Sequence, residues 1–185
     1  MRAATLHQAV RPTARAIAWT PVLGLAVGLL AVAGLFRLGD ESSDAVLGMG
    51  AGALSAALVL SWRDAAAGLL APVPVSRFAR RLLRLGLVAL VAVPVGLLVA
   101  TVLPGDDRMV APLLALTGTG VAVATWLPVE RDVTLAAAVP LVWVCLAEMV
   151  GGLTGPVGDA ATLWRTDPWP VLALALVVLV AGRRR

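Results

Sequence analysis

Residues 62–84 read WRDAAAGLLAPVPVSRFARRLLR, and the way this stretch is read decides the fold. It separates two long apolar runs and carries Arg63, Arg77, Arg80, Arg81 and Arg84, five of the fifteen basic residues of a chain that has no lysine. Arginines close to the ends of membrane spans are retained on the cytoplasmic side, so the cluster predicts how the chain threads a bilayer.

The bulk composition points the same way. Of 185 residues, 60% are hydrophobic and 14% charged, more apolar surface than a soluble domain of this length buries. Apolar runs recur with short polar breaks, and each crossing of a hydrocarbon core of ~30 Å takes ~20 residues of helix. Backbone groups in lipid must be paired within the segment, and the runs lack the alternation of barrel strands. An all-α, polytopic membrane protein is expected. The net charge of +4 lies in the breaks between spans, where topology and anionic lipid explain it without nucleic acid. Cys145, the one cysteine, excludes an intrachain disulfide and reads as a small buried hydrophobe. Arginine without lysine, together with abundant Ala, Gly, Val and Pro, suggests a GC-rich bacterial genome and hence the bacterial cytoplasmic membrane.

Six spans are predicted, at about 16–36, 45–62, 85–103, 109–127, 134–150 and 169–182. Residues 1–15 place His7, Arg11 and Arg15 on one stripe, as in a short interfacial helix that Pro12 ends. Ala31-Val32-Ala33 imitates a signal-peptidase site, but the apolar run is longer than a signal-peptide core and further spans follow, so no cleavage is expected. Gly24 and Gly28 in the first span, and Gly48 and Gly52 in the second, form G-x-x-x-G pairs suited to close helix packing. Pro94 and Pro140 should kink the third and fifth spans. The outer segment 151–168 holds room for a short helix from an Asp159 cap to Trp164, and the last span, ~21 Å long, is too short to cross unaided.

With both termini in the cytoplasm, the inner segments carry twelve arginines, and the outer ones carry Arg37, Arg108 and Arg165 beside seven acids. The inverse orientation would place the twelve outside, against the charge rule.

Catalytic patterns are missing. The sequence has no second histidine, no cysteine pair for zinc, no G-x-S-x-G elbow and no phosphate-cradling loop ending in lysine. No catalytic, cofactor or metal residues are assigned, and an enzyme is not expected. Glu148 is the one carboxylate within a span, a candidate for a substrate path set against an ordinary residue near the outer interface. In the 62–84 stretch, Asp64 is expected to cap a helix through Leu70, and Pro72 and Pro74 to stop it. From Ser76 a second helix would set Arg77, Arg80, Arg81 and Arg84 on one face and Phe78, Leu82 and Leu85 on the other.

The run Arg63-Asp64, Gly68-Leu69-Leu70, Pro74-Val75-Ser76-Arg77 resembles the coupling region of the membrane subunits of type 2 ATP-binding-cassette exporters. The resemblance implies six spans with both ends inside, an interfacial N-terminal helix, a coupling segment between spans two and three, and a re-entrant outer segment before the last span. It further implies a separate ATPase docking at residues 65–77 and a homodimer or heterodimer of permease chains. Two other readings stay open: a non-transporting assembly or scaffold protein that uses the glycine faces, and a small secondary transporter that depends on Glu148.

The threading makes a direct prediction. In a Cys145→Ser background, single cysteines at 77 and 132 should resist a membrane-impermeant maleimide in intact cells and react in inverted vesicles, whereas one at 107 should behave oppositely.

Overall fold

The computed structural model describes residues 10–11, 13–38, 44–63, 77–102, 110–127 and 132–182. Among them there are no strands. Seven helices follow a short helical stretch that reaches residue 15, past the position where Pro12 was expected to end it. They are α1 (Trp19–Leu38), α2 (Asp44–Leu60), α3 (Arg77–Val102), α4 (Val110–Trp126), α5 (Val133–Val150), α6 (Pro156–Thr166) and α7 (Pro168–Gly182).

Three of these, α1, α3 and α5, are long and apolar enough to cross a membrane singly. The pair α6 and α7 passes the same test together, broken by a bend of 86°. Helices α2 and α4, at 17 residues each, extend ~26 Å at 1.5 Å per residue. Both are apolar along their length and form the centre of the bundle, α2 packing on α1, α3, α4 and α5, and α4 on α2, α5 and α7.

Six helices alternate between two ends of this bundle. At one end residues 16–18 of the chain meet 61–63 and 84 around a common cavity, Trp62 packs among Phe78, Ala124 and Val133, and Gly182 lies against Trp126. At the other end Arg37 donates to the carbonyl of Val102 (3.2 Å), Gly48 meets Glu148 and Trp164, and residues 110–114 face 165–169. The described beginning and end of the chain therefore lie at the same end.

Close packing at the centre depends on small residues. A Cβ on Gly120 would collide with Val59 Cγ2 and stand 3.3 Å from both the Ala136 carbonyl oxygen and Pro140 Cγ. Pro140 has no N–H to bond that carbonyl four residues back, and Gly120 is where α4 slides against the gap. Gly118 comes similarly close to Ala175 and Leu172 of α7. Ser55, fully buried, ties α2 to α4 by donating to the Leu113 carbonyl at 3.2 Å.

Several sequence expectations change. The amphipathic helix and the third span are one continuous helix of 26 residues, with Pro94 inside it. Helix α6 starts at Pro156, with Gly155 (φ 116°) as its cap residue, so Asp159 belongs to the first turn and caps nothing. A φ of that sign favours glycine, and proline's fixed φ suits the first helical position. Cys145 is exposed rather than buried. Helix α5 packs through Ala136, Ala137, Pro140, Val144 and Ala147, and the residue after Val144 lies ~100° further round the helix.

The packing generates a test. Gly120→Val should destabilise the protein by ~1–3 kcal/mol through overpacking, while Gly24→Ala, where a Cβ meets nothing within 4 Å, should leave thermal unfolding in detergent unchanged apart from helix propensity.

Candidate functional site

The arginine-rich elbow between α2 and α3 is the candidate site. Asp64, Gly68, Leu69, Leu70, Pro74 and Ser76, with the helix expected from Asp64 to Leu70, lie outside the described residues. Arg63 closes the α2 side, exposed, and Arg77 opens α3. What is described is how the two ends of the elbow are held together.

Trp62 forms the centre of that clasp. Helix α2 runs out in turns that bond Trp62 N–H to Val59 O (2.9 Å) and Arg63 N–H to Leu60 O (3.1 Å), which turns the indole inward. It is fully buried against Val59, Val121, Ala124 and Val133. The Phe78 ring meets it edge-on, centroids 5.8 Å apart at 82°. The Arg81 guanidinium stands 5.8 Å from the indole centroid, the range of a cation–π contact. One turn along α3, Arg84 Nη1 donates to the backbone carbonyl of Arg63 at 2.7 Å. Aromatic, cationic and hydrogen-bonded contacts thus join residues 62–63 to 78–84.

The basic face of α3 is consequently turned into the protein. Arg80 and Arg84 are 5% and 3% exposed, while Leu82 is 42% exposed, the opposite of a soluble amphipathic helix. In a bilayer the exposed Leu82 can face lipid, while Arg84 gains from the Arg63 carbonyl and Arg81 from the Trp62 ring. Sequence patterning set Phe78, Leu82 and Leu85 opposite the arginines, but Phe78 packs on Trp62 and Leu85 against the core, so that of the three only Leu82 is exposed.

The two glycine pairs differ. A Cβ on Gly24 or Gly28 would meet no atom within 4 Å, and this face of α1 is open. On Gly52 it would stand 3.1 Å from Val144 Cγ2, and on Gly48 3.4 Å from Glu148 Oε1 and 3.5 Å from Trp164 Cη2. Gly48 therefore lets a carboxylate from α5 and an indole from α6 approach one spot on α2. Trp164 is 2% exposed, and its Nε1 has no hydrogen-bond partner among the described residues. Glu148, itself exposed, lines a cavity of about 250 Å³ with Thr162, Trp164 and Arg165. The sequence signalled Glu148 and ended a short helix at Trp164, and nothing local to either residue announces their meeting. No group of three or more metal-ligating side chains gathers among the described residues.

Fold and composition define the class: an all-helical bundle with several helices able to cross a membrane. Comparison with protein-family models, curated proteins and solved structures finds no match to this chain.

The clasp should be measurable as coupling. Trp62→Ala should lower stability in detergent by ~3–5 kcal/mol, and a double-mutant cycle of Trp62→Leu with Phe78→Leu should return a coupling of ~0.5–1.5 kcal/mol. Arg81→Gln, read by the same denaturation, should cost about 0.5–1 kcal/mol.

Proposed function

We propose that the chain is the membrane-spanning permease subunit of an ATP-driven exporter whose ATPase is a separate protein engaging the elbow from the cytoplasm. On this reading all six helices α1–α5 and α7 cross a bacterial cytoplasmic membrane, both termini lie inside, and α6 is the re-entrant arm before the last crossing. The positive-inside rule supports this orientation, since the elbow holds five arginines.

The single observation that carries the proposal is the clasp. A surface loop held only by its peptide links absorbs a push by bending. An elbow whose two ends are bonded through Trp62, Phe78, Arg81 and Arg84 passes it to α2 and α3 together. That is what a handle for an external motor requires. The resemblance of residues 63–77 to a coupling region supplies the identity of the motor, an ATP-binding-cassette ATPase. A second permease chain, identical or similar, pairs through the open face of α1 that carries Gly24 and Gly28, where close helix approach is available. Glu148 beside Gly48 and Trp164 is the ionisable group on the substrate path, at the end of the bundle away from the motor.

Co-expression with ATPases encoded by neighbouring genes and affinity purification in mild detergent tests this. An ATPase should be retained, and the double substitution Asp64→Ala, Arg77→Ala should reduce its recovery about tenfold or more, as loss of interfacial charge contacts does. If no nucleotide-binding protein is retained, or recovery is indifferent to Asp64 and Arg77, the proposal fails. A complex that survives there but is broken by Gly24→Leu or Gly28→Leu on the open face of α1, with solute flux unchanged, would mark a scaffold instead.

A further inference from the structure

A cavity of about 500 Å³ opens between α1, α2 and α3 beside the clasp. Its volume falls in the ~300–1,000 Å³ range of small-molecule sites. The walls are apolar: Val22 and Leu25 from α1, Ala53 and Ala57 from α2, Val88 from α3. The alanines on α2 leave the room, because larger side chains there would close the gap to α1. Polar groups gather at the elbow end only, where Ser61, Arg63 and Arg84 complete the lining.

Three features single this cavity out from an ordinary groove between helices. The charge of its described lining residues is of one sign, with two guanidinium groups and no acid among them. One of the two, Arg84, is 3% exposed and held in place by its bond to the Arg63 carbonyl, so its position is fixed before anything binds. And α1, which forms one wall, has only 11% of its apolar stretch buried and packs chiefly on α3 and α2, so the cavity is bounded on one side by a lightly held helix.

We infer that this cavity binds an anionic phospholipid of the bilayer, with its phosphate at Arg63 and Arg84 and one acyl chain between Val22, Leu25, Ala57 and Val88. A guanidinium holds phosphate by paired, charge-assisted hydrogen bonds, and an exposed Arg63 beside a fixed Arg84 presents two such groups to one headgroup. Basic pockets between helices at the cytoplasmic face are where anionic headgroups are met. The apolar wall accepts a hydrocarbon chain and offers nothing to a polar solute or a free phosphate beyond the rim. Lipid here would fill the space that separates α1 from α2, next to the joint through which the elbow acts. The inference takes the elbow end as the inner face, as in the proposed function, but requires no ATPase.

The test is native mass spectrometry of the full chain alone, released from nanodiscs of phosphatidylcholine with a minor share of phosphatidylglycerol. One phosphatidylglycerol should be retained in preference to phosphatidylcholine. Arg84→Gln should weaken that preference about tenfold, the loss of one charge-assisted contact, and Arg84→Lys should restore part of it. Ala57→Leu, which fills the cavity and touches neither arginine's charge, should abolish retention while thermal unfolding shows the protein still folded. Equal retention of the two lipids would overturn the inference. So would retention of phosphatidylglycerol by Ala57→Leu at the wild-type level, which would put the lipid on the outer surface. Because no ATPase is present, either result leaves the motor-docking experiment to be judged separately.

Discussion

Apolar helices in hydrocarbon gain little by exchanging lipid for one another, so what holds them is how closely their backbones can approach. In this chain that constraint falls on α4. Gly120 lets Val59 and Pro140 into the space a Cβ would occupy, and Gly118 admits Ala175 and Leu172. Ala115, Leu116, Val121 and Ala124 surround these glycines in full burial. Helices α2, α5 and α7 are gathered on α4, and a helix of only 17 residues becomes the axis of the bundle. The Ser55 bond to the Leu113 carbonyl fixes the register of α2 against it.

Around that axis the remaining helices are held unequally. Helix α3 packs chiefly on α1 and α2 and only slightly on α4, and α1 rests on α3 and α2. The pair α1 and α3 thus hangs on the rest through α2. Two polar ties reinforce it, one at each end: Arg37 to the Val102 carbonyl away from the elbow, and Arg84 to the Arg63 carbonyl at the elbow. The second is partly buried and backed by the Trp62–Phe78 contact. The first is exposed. A load at the elbow end is therefore resisted by the stronger tie, and the pair is left freer at the far end.

Much of the architecture was legible because membrane helices write themselves in composition. Every predicted span contains a helix, with ends that differ by a few residues. The third differs most, since α3 begins at Arg77 rather than 85. Four arginines in that first stretch interrupt the apolar run that marks a span, but arginine is a good helix former and nothing breaks the backbone there. The 86° corner between α6 and α7 was foreshadowed only as a length deficit in the last helix. What could not be read was facing. Among near-uniformly apolar helices periodicity carries little information, so Gly48 and Gly24, identical in motif, end in a packed and an open position. Burial of Trp62, Arg80 and Arg84 required knowing that α2 and α3 converge, which is a tertiary fact.

The inversion of α3 has a consequence for how the elbow works on the proposed reading. Had Arg80 and Arg84 faced outward, their charge would have lain open to any anionic surface. Buried instead, Arg80 and Arg84 are held within the protein, Arg84 on the Arg63 carbonyl and beside the cavity that it lines, while Arg63 is exposed. Removing a hydrogen-bonded charge from such a place leaves its partner carbonyl unpaired, at a cost of ~1–3 kcal/mol. On the proposed reading, residues that orient the chain during insertion become structural once α2 and α3 have met. If the arginines orient the chain as proposed, a clasp built partly of them would assemble after the spans have taken their orientation, and orientation and assembly would be coupled in one short stretch of chain.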